Sequence, residues 1–347
     1  MKRTPTIKIS DITPDSIALE MGIGTEELWQ RSRNTEKLYL PTRQKECNGK
    51  IREIDEPRKH ERPFFKKLHK MIQRWRIFHY AAHGSIRKCS PKTSANRHSG
   101  VLGVTTRDVS KCFPSVKTPF LQSELKRIGF RCDTALLLSK LLTVRGSIPQ
   151  GASISSDAFN LFFIGIDRLI ARKCSRHNLC YTRYVDDCVI SGNDIEAARR
   201  IVVLLENEIQ RIGLEINRKK SCTAIAGTKE QLVHGYRVHR KSGIMISKEK
   251  TQETLKLATK YLDQCRKITP ESIVEAAKLR QKLVGLKSYF CSAKFHIARH
   301  IKRQIKTGDR LVLNQLKSSQ LFLPSDKWWL VVNRKGAFSG IVNKMNN

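Results

Sequence analysis

Two adjacent aspartates, Asp186 and Asp187, stand in the run Tyr184-Val185-Asp186-Asp187, between two stretches with the composition of β-strands. Like charges that close together in an apolar hairpin repel and raise their own pKa values unless a cation sits with them. A third acid, Asp108, follows the strand-like run Leu102-Gly103-Val104-Thr105-Thr106-Arg107. Three carboxylates at strand ends make a hard oxygen site of the kind that suits Mg²⁺. Two such ions can activate an attacking hydroxyl and stabilise a leaving pyrophosphate. For an Asp-Asp pair taken alone, a solvated turn is the plainer explanation. The apolar flanks and the charge of the whole chain favour the metal-binding one.

That charge is large. The 347 residues carry 66 Lys and Arg against 31 Asp and Glu, a formal net charge of +35. Such an excess points to a polyanionic partner, because basic residues bind phosphates by releasing condensed counterions. It argues against enzymes of small neutral metabolites and does not separate RNA from DNA. Hydrophobic residues make up 39% of the chain, enough for a packed core and too many for a disordered one. No apolar run reaches the roughly 18 residues of a membrane span. The start, MKRTPTIKIS, lacks the apolar stretch of a signal peptide. The ten scattered cysteines, none in a C-x-x-C pair, read as reduced thiols of a cytoplasmic protein.

The elements that must position the acids follow from pattern. Residues 10–38 read as two short helices separated by glycines 22 and 24. Residues 41–100 carry 16 Lys and Arg against 5 acids, and a helical stretch runs from Glu61 to His83 with Phe64, Phe65, Leu68, Ile72, Trp75 and Phe78 near helical spacing and Lys and Arg between them. Residues 101–118 read as a strand turning into a helix, 151–177 as a long apolar helix, 179–192 as a hairpin and 195–213 as an amphipathic helix. Short strands are expected over 214–247. From 248 onward the pattern is mostly helical, with 21 Lys and Arg against 7 acids. Strands and helices mix without strict alternation, so the fold class is α+β.

Four short motifs now stand in order. Asp108-Val109-Ser110-Lys111-Cys112-Phe113-Pro114-Ser115 resembles the first palm motif of reverse transcriptases. Ile148-Pro149-Gln150-Gly151-Ala152-Ser153-Ile154-Ser155 resembles their Pro-Gln-Gly motif, and Tyr184-Val185-Asp186-Asp187 their Tyr-x-Asp-Asp box. Leu214-Glu215-Ile216-Asn217-Arg218-Lys219-Lys220-Ser221 resembles the Leu-x-x-Asn-x-x-Lys motif that follows. The resemblance covers residues 40–245 well and the last third loosely. It implies a right-hand polymerase fold with an N-terminal helical extension over 1–40, fingers over 41–100, a palm over 101–245 that includes part of the fingers at 119–145, and a helical RNA-binding thumb over 246–347.

It also implies roles. Asp108 and Asp186 would hold two Mg²⁺ ions, with Mn²⁺ as a substitute; Asp187 would support them and Val109 would offer its carbonyl. Phe113 stands where these enzymes place an aromatic gate that crowds a 2′-hydroxyl and favours dNTPs. Gln150 and Gly151 would line the nucleotide and template path, the glycine permitting close backbone approach. Lys220, with Lys219 as the alternative, would act on the leaving pyrophosphate. Gly49-Lys50-Ile51-Arg52 resembles the fingers hairpin that grips the triphosphate, Arg52 first and Lys50 second.

The compact length resembles that of bacterial retron reverse transcriptases. Their Asn-Ala-x-x-His element has a counterpart in Ser94-Ala95-Asn96-Arg97-His98, with Ser for the first Asn. Their Val-Thr-Gly element has one in Val233-His234-Gly235, with His for Thr. This resemblance implies RNA contacts at Ser94, His98, His234 and Gly235. It implies a cognate structured noncoding RNA, priming from an RNA 2′-hydroxyl, a branched RNA–DNA product and an accessory effector protein in antiphage defence. Trp328, Trp329 and Phe338, with Lys327, Arg334 and Lys335 nearby, are candidates for further RNA contact, or for a C-terminal packing patch. The alternatives are a defence-associated reverse transcriptase with protein-primed or unprimed synthesis, and a non-catalytic RNA-binding scaffold on the same fold.

Overall fold

A computed structural model describes residues 7–47, 49–239, 243–267, 270–292, 297–318, 328–332 and 338–343. The chain forms two compact units, Met1–Ile244 and Met245–Asn347.

In the first unit, Thr13 caps α1 (Pro14–Met21) through a reciprocal bond pair with Ser16, and Gly22, at φ 62°, ends it in the left-handed region. α2 (Thr25–Arg33) follows. β1 (Arg43–Cys47) and β2 (Lys50–Ile54) form an isolated antiparallel hairpin with Arg52 opposite Lys45. α3 (Arg62–Trp75) buries Phe65, Leu68, Met71, Ile72 and Trp75 on one face. It stops at Arg76, which takes a left-handed backbone (φ 55°), so the helix is shorter than the pattern from Glu61 to His83 suggests. α4 (Pro91–Asn96) is capped by Ser90 and Thr93.

β3 (Gly103–Asp108) leads into α5 (Cys112–Ser115), α6 (Thr118–Arg127), α7 (Cys132–Leu141) and the long α8 (Ser155–Arg176). β4 (Cys180–Tyr184), β5 (Asp187–Gly192), α9 (Ile195–Arg211) and β6 (Cys222–Ile225) complete the centre. The sheet is antiparallel, in the order β4-β5-β3-β6. α8 and α9 pack against it and each other. α8 buries Phe159, Leu161, Phe162, Phe163, Ile164 and Ile170, so it is apolar nearly all round and belongs inside rather than on a surface. Beyond the sheet, β7 (Leu232–Val233) and β8 (Tyr236–His239) make a tight hairpin, and β9 (Gly243–Ile246) follows.

One ion pair ties α3 to α8. His69 Nδ1 lies 2.5 Å from Asp157 Oδ2, and Gln73 donates to the other oxygen at 2.6 Å. The Asp157 bond holds the His69 pKa above its ordinary value, while burial pushes Asp157 upward as well. A histidine with a raised folded-state pKa gives its full stabilisation below about 6.5 and loses it as pH rises through the folded value. The melting temperature is therefore expected to fall between pH 6 and pH 8. His69→Gln, which keeps a donor but no charge, should flatten that slope; an unchanged slope would show that the pair does not set it.

In the second unit α10 (Lys248–Arg266), α11 (Pro270–Ser292) and α12 (Ile297–Ser318) pack pairwise around Ala258, Tyr261, Leu279, Leu283, Phe290, Ile301 and Ile305. Asp309 accepts from Tyr261 Oη at 2.7 Å and from Arg280 at 2.7 and 2.9 Å. Two further segments are strands: β10 (Trp328–Val332) pairs antiparallel with β11 (Phe338–Asn343). β-branched residues in both segments favour strands. Trp328 and Trp329 are placed by their backbone at the start of β10; Lys327, Arg334 and Lys335 lie outside the described residues. Among the described residues no helix is long and apolar enough to cross a membrane.

Candidate active site

Sheet register brings the acids together. Asp108, the last residue of β3, lies directly opposite Asp187, the first of β5. Tyr184 pairs with Asp187, so β4 and β5 are joined by the two-residue turn Val185-Asp186. The Val109 amide donates to the Asp186 carbonyl at 3.0 Å, which lays the start of the next loop against that turn. All three carboxylates are half-buried. Burial first, and then the Asp108 charge, raise the pKa of Asp186, and Lys220 pulls it back.

The lysine is delivered by a second turn. Val109 bridges Ile216, Ser110 donates to the Glu215 carbonyl at 2.8 Å and the Asn217 amide donates to the Asp108 carbonyl at 2.7 Å. The Lys220 amide then closes back on Asn217. Lys220 Nζ therefore reaches Asp108 Oδ2 at 2.9 Å, and that bond holds its pKa above the ordinary lysine value. Lys219 is exposed beside it.

The Val185-Asp186 turn is strained. Val185 has φ 57°, a left-handed backbone that a β-branched residue rarely takes. Such a conformation persists only where the surroundings over-determine it. On one face the constraint is Arg183, fully buried, which donates to the Val185 carbonyl at 2.7 Å. Arg183 also makes a two-pronged bond to Asp167 of α8 at 3.0 and 2.7 Å and donates to Asn160 at 3.1 Å. Its guanidinium stacks 4.6 Å from the Phe163 ring centre. Burial is the largest single influence and would lower its pKa, but the Asp167 charge and hydrogen bonds, with Tyr181 and Cys188, together turn the net shift upward. Tyr181 Oη donates to the same Asp167 at 2.8 Å.

Gly84 closes the turn from another side. A Cβ at this position would stand 2.4 Å from the Val185 nitrogen, and Asn160 donates to the Gly84 carbonyl at 2.9 Å. Backbone cannot yield as a flexible side chain can. Gly84→Ala is expected to push the turn outward and to slow synthesis by about 10²-fold, the cost of an ångström-scale misplacement. A primer-extension rate within threefold of wild type would show that the turn tolerates the shift.

The opposite face of β4 carries a second set of bonds. Thr182 Oγ1 lies 2.6 Å from both Ser94 Oγ and His98 Nε2; His98 Nδ1 lies 2.7 Å from Ser191 Oγ. Ser94 Oγ lies 2.8 Å from His234 Nε2, and His234 Nδ1 lies 2.8 Å from Asp187 Oδ2. Burial pushes His98 down to about 3 and the neighbouring His83 to about 4, so both imidazoles are neutral near pH 7. Ser94 and His98 are fully buried and the His234 side chain is 4% exposed. In this structure the side chains of Ser94, His98 and His234, where the resemblance implies RNA contacts, turn inward to one another and to Thr182. His234 and Gly235 form the two-residue turn between β7 and β8, both with positive φ (50° and 82°), as a type I′ hairpin turn requires.

The remaining expected residues lie around this centre. Phe113 is half-buried, edge-on to Phe159 at 6.0 Å. The Gln150 carbonyl accepts from the Asp55 amide at the base of the β1–β2 hairpin, and Gly151, at φ 128°, lies so close that a Cβ would meet Ile54 at 2.9 Å. Arg52 is exposed on that hairpin; Lys50 is placed by its backbone opposite Cys47. The sequence reading missed Arg183, Asp167, Thr182 and Ser191. A signal for the first two existed: an acid inside a helix as apolar as α8 calls for a buried cation.

Divalent cations place their own demands on this site. Among the described residues no three His, Cys, Asp or Glu side chains converge as a ready cage. Two carboxylate oxygens are engaged, Asp108 Oδ2 by Lys220 and Asp187 Oδ2 by His234. The donor set nonetheless fits a hard cation: oxygen ligands only, with Asp186 pushed toward its neutral form by burial and by Asp108, which a cation would reverse.

An antiparallel sheet that sets two aspartates face to face across adjacent strands, with a third in the intervening turn and a lysine at their edge, has the construction of a template-dependent nucleotidyl-transfer centre. Residues 43–238 match the family described as reverse transcriptase (RNA-dependent DNA polymerase), and the chain belongs to that family, whose fold is the right-hand polymerase fold. Membership implies a divalent-metal requirement. The chain is 24% identical over 305 residues to the retron Mx65 reverse transcriptase of Myxococcus xanthus, covering 78% of this chain and 71% of that one. It is 26% identical over 178 residues to the retron Se72 enzyme of Salmonella heidelberg and 28% over 157 residues to the retron Ec86 enzyme of Escherichia coli. These two matches span about half the relatives' lengths (47% and 46%). Among solved structures, telomerase from Candida albicans with a fragment of telomeric RNA aligns at TM-score 0.45 and 14% identity, over 84% of this chain and 64% of that one. Apo telomerase from Candida tropicalis aligns at 0.47 and 11%, over 79% and 62%.

Proposed function

We propose that the protein copies part of a cognate structured noncoding RNA into single-stranded DNA from dNTPs. The observation that supports this most is the register: Asp108 faces Asp187, Asp186 turns between them and Lys220 Nζ rests on Asp108. Asp108 and Asp186, supported by Asp187 and the Val109 carbonyl, would hold two Mg²⁺ ions. When bound, these would activate the attacking hydroxyl and neutralise charge on the leaving pyrophosphate. The attacking oxygen forms the new bond to the α-phosphorus, and the bond to the bridging oxygen breaks. Lys220, held protonated by Asp108, with Lys219 as the alternative, would give its Nζ proton to the departing pyrophosphate, a role of general acid worth typically 10²–10⁴-fold. Phe113, braced on Phe159, would crowd a 2′-hydroxyl, while Arg52 and Lys50 grip the triphosphate and Gln150-Gly151 line its path.

The retron relatives support priming from an RNA 2′-hydroxyl and a branched RNA–DNA product, in an antiphage system with an accessory effector. Sequencing of nucleic acid that co-purifies with the protein tests this. DNA joined 2′–5′ to a small RNA is the expected result. DNA linked to protein, or long homopolymeric DNA, would overturn it in favour of another priming mode.

A further inference from the structure

We infer that His234 and Ser94 work as one positioning unit that aims Asp187 at the catalytic centre. The inference rests on the reading of Asp187 as a metal-supporting carboxylate. Its own basis is the chain of bonds behind that residue.

The bonds form one unbroken chain. The Asp187 carboxylate only accepts, so His234 Nδ1 donates to it across 2.8 Å. The other ring nitrogen, Nε2, lies 2.8 Å from the Ser94 hydroxyl. Ser94 Oγ lies 2.6 Å from Thr182 Oγ1. Thr182 Oγ1 lies 2.6 Å from His98 Nε2, and His98 Nδ1 lies 2.7 Å from Ser191 Oγ. Hydrogen bonds linked in a chain polarise one another. The links come from β5, β4, α4 with the turn just after it that carries His98, and the β7–β8 turn, so the carboxylate is referenced to the sheet and to two pieces outside it.

Two features show that this is more than filling of space. His234 is held in an uncommon left-handed backbone, φ 50°, and its ring packs on Tyr184 at 5.4 Å. Ser94 and His234, which stand in the two separate elements at the places of an Asn and a Thr, touch each other. A histidine reaches both a carboxylate and a serine with its two nitrogens; a threonine hydroxyl has only one proton to give. Partners of this kind, one step behind a metal-binding carboxylate, typically change metal affinity or activity by 10–100-fold when removed.

The test uses Mn²⁺ binding to the full-length protein without RNA or dNTP, read by electron paramagnetic resonance, beside steady-state synthesis. His234→Leu keeps bulk and burial but removes the donor; His234→Asn keeps a donor near the Nδ1 position. The expected result is a loss of at least tenfold in Mn²⁺ affinity and in kcat for H234L, with KM for dNTP within twofold. H234N should stay within about threefold of wild type. S94A should show a smaller loss, and S94A/H234L no more than H234L alone, because one unit is broken once. Equal losses in H234L and H234N, multiplying losses in the double variant, or wild-type Mn²⁺ affinity in H234L would each overturn the inference. If H234L gives no cooperative melt, S94A decides: unchanged affinity overturns the unit, and a loss supports it. A wild-type protein with no Mn²⁺ site that D108N removes would instead sink the metal-binding reading beneath it.

Discussion

Exchange of Asp186 and Asp187 together for asparagine is expected to reduce DNA synthesis by at least about 10³-fold while leaving RNA affinity within about twofold. Asparagine keeps the shape of each side chain and removes the charge that a divalent cation needs. The folded state should not suffer. Burial and the Asp108 charge already press Asp186 toward its neutral form, so a neutral replacement relieves repulsion. At position 187 the asparagine carbonyl can still accept from His234 Nδ1. Stability is then unchanged or slightly raised, the usual relation where a site is strained for function. RNA affinity is expected to rest on the excess of 66 Lys and Arg over 31 Asp and Glu; removing two acids makes the protein more basic. Primer extension, filter binding and a thermal melt measure the three quantities. Persistent synthesis by the double variant would remove these aspartates from the chemistry.

The second large effect concerns a residue away from the reacting atoms. Arg183→Met should destabilise the first unit by about 3–5 kcal/mol, the cost of stranding a buried charge. For a unit of this size that lowers Tm by roughly 10 °C or more. Asp167 would keep only the Tyr181 hydroxyl, and the Val185 carbonyl would lose its 2.7 Å donor. Adding Asp167→Leu removes the stranded charge, and replacement of a buried ion pair by apolar residues is often close to neutral. The R183M/D167L variant should therefore recover at least half of the lost stability. It should not recover synthesis, because the Val185 carbonyl then lacks the buried donor that helps to hold its left-handed backbone. Recovery of both together would mean that Arg183 serves stability alone.

These two cases mark what was legible in the chain and what was not. Asp108, Asp186 and Asp187 could be found because strand alternation and a two-residue turn are local patterns, and because acids are scarce in so basic a sequence. The two N-terminal helices and the long apolar α8 were legible for the same reason. Arg183 was not singled out, although it directly precedes the Tyr-Val-Asp-Asp run: its partner Asp167 lies 16 residues away on a helix, and only packing of α8 on β4 joins them. Ser94, His98 and His234 stand out as motifs, but their inward setting is not legible in the sequence. Their partners are 47 to 140 residues distant, and no periodicity reports whether a polar side chain turns outward to RNA or inward to a threonine. The C-terminal strand pair was read as helix because Lys and Leu dominate the preceding hundred residues, and the β-branched residues that set it apart are few.

The most direct test of the central claim is template-directed synthesis by the purified protein on a primed RNA of known sequence, with dNTPs and Mg²⁺. The expected product is DNA whose sequence is the complement of the RNA, abolished by chelation of the metal and by Asp108→Asn. A folded protein that binds the RNA yet incorporates no dNTP with Mg²⁺ or Mn²⁺ would contradict it.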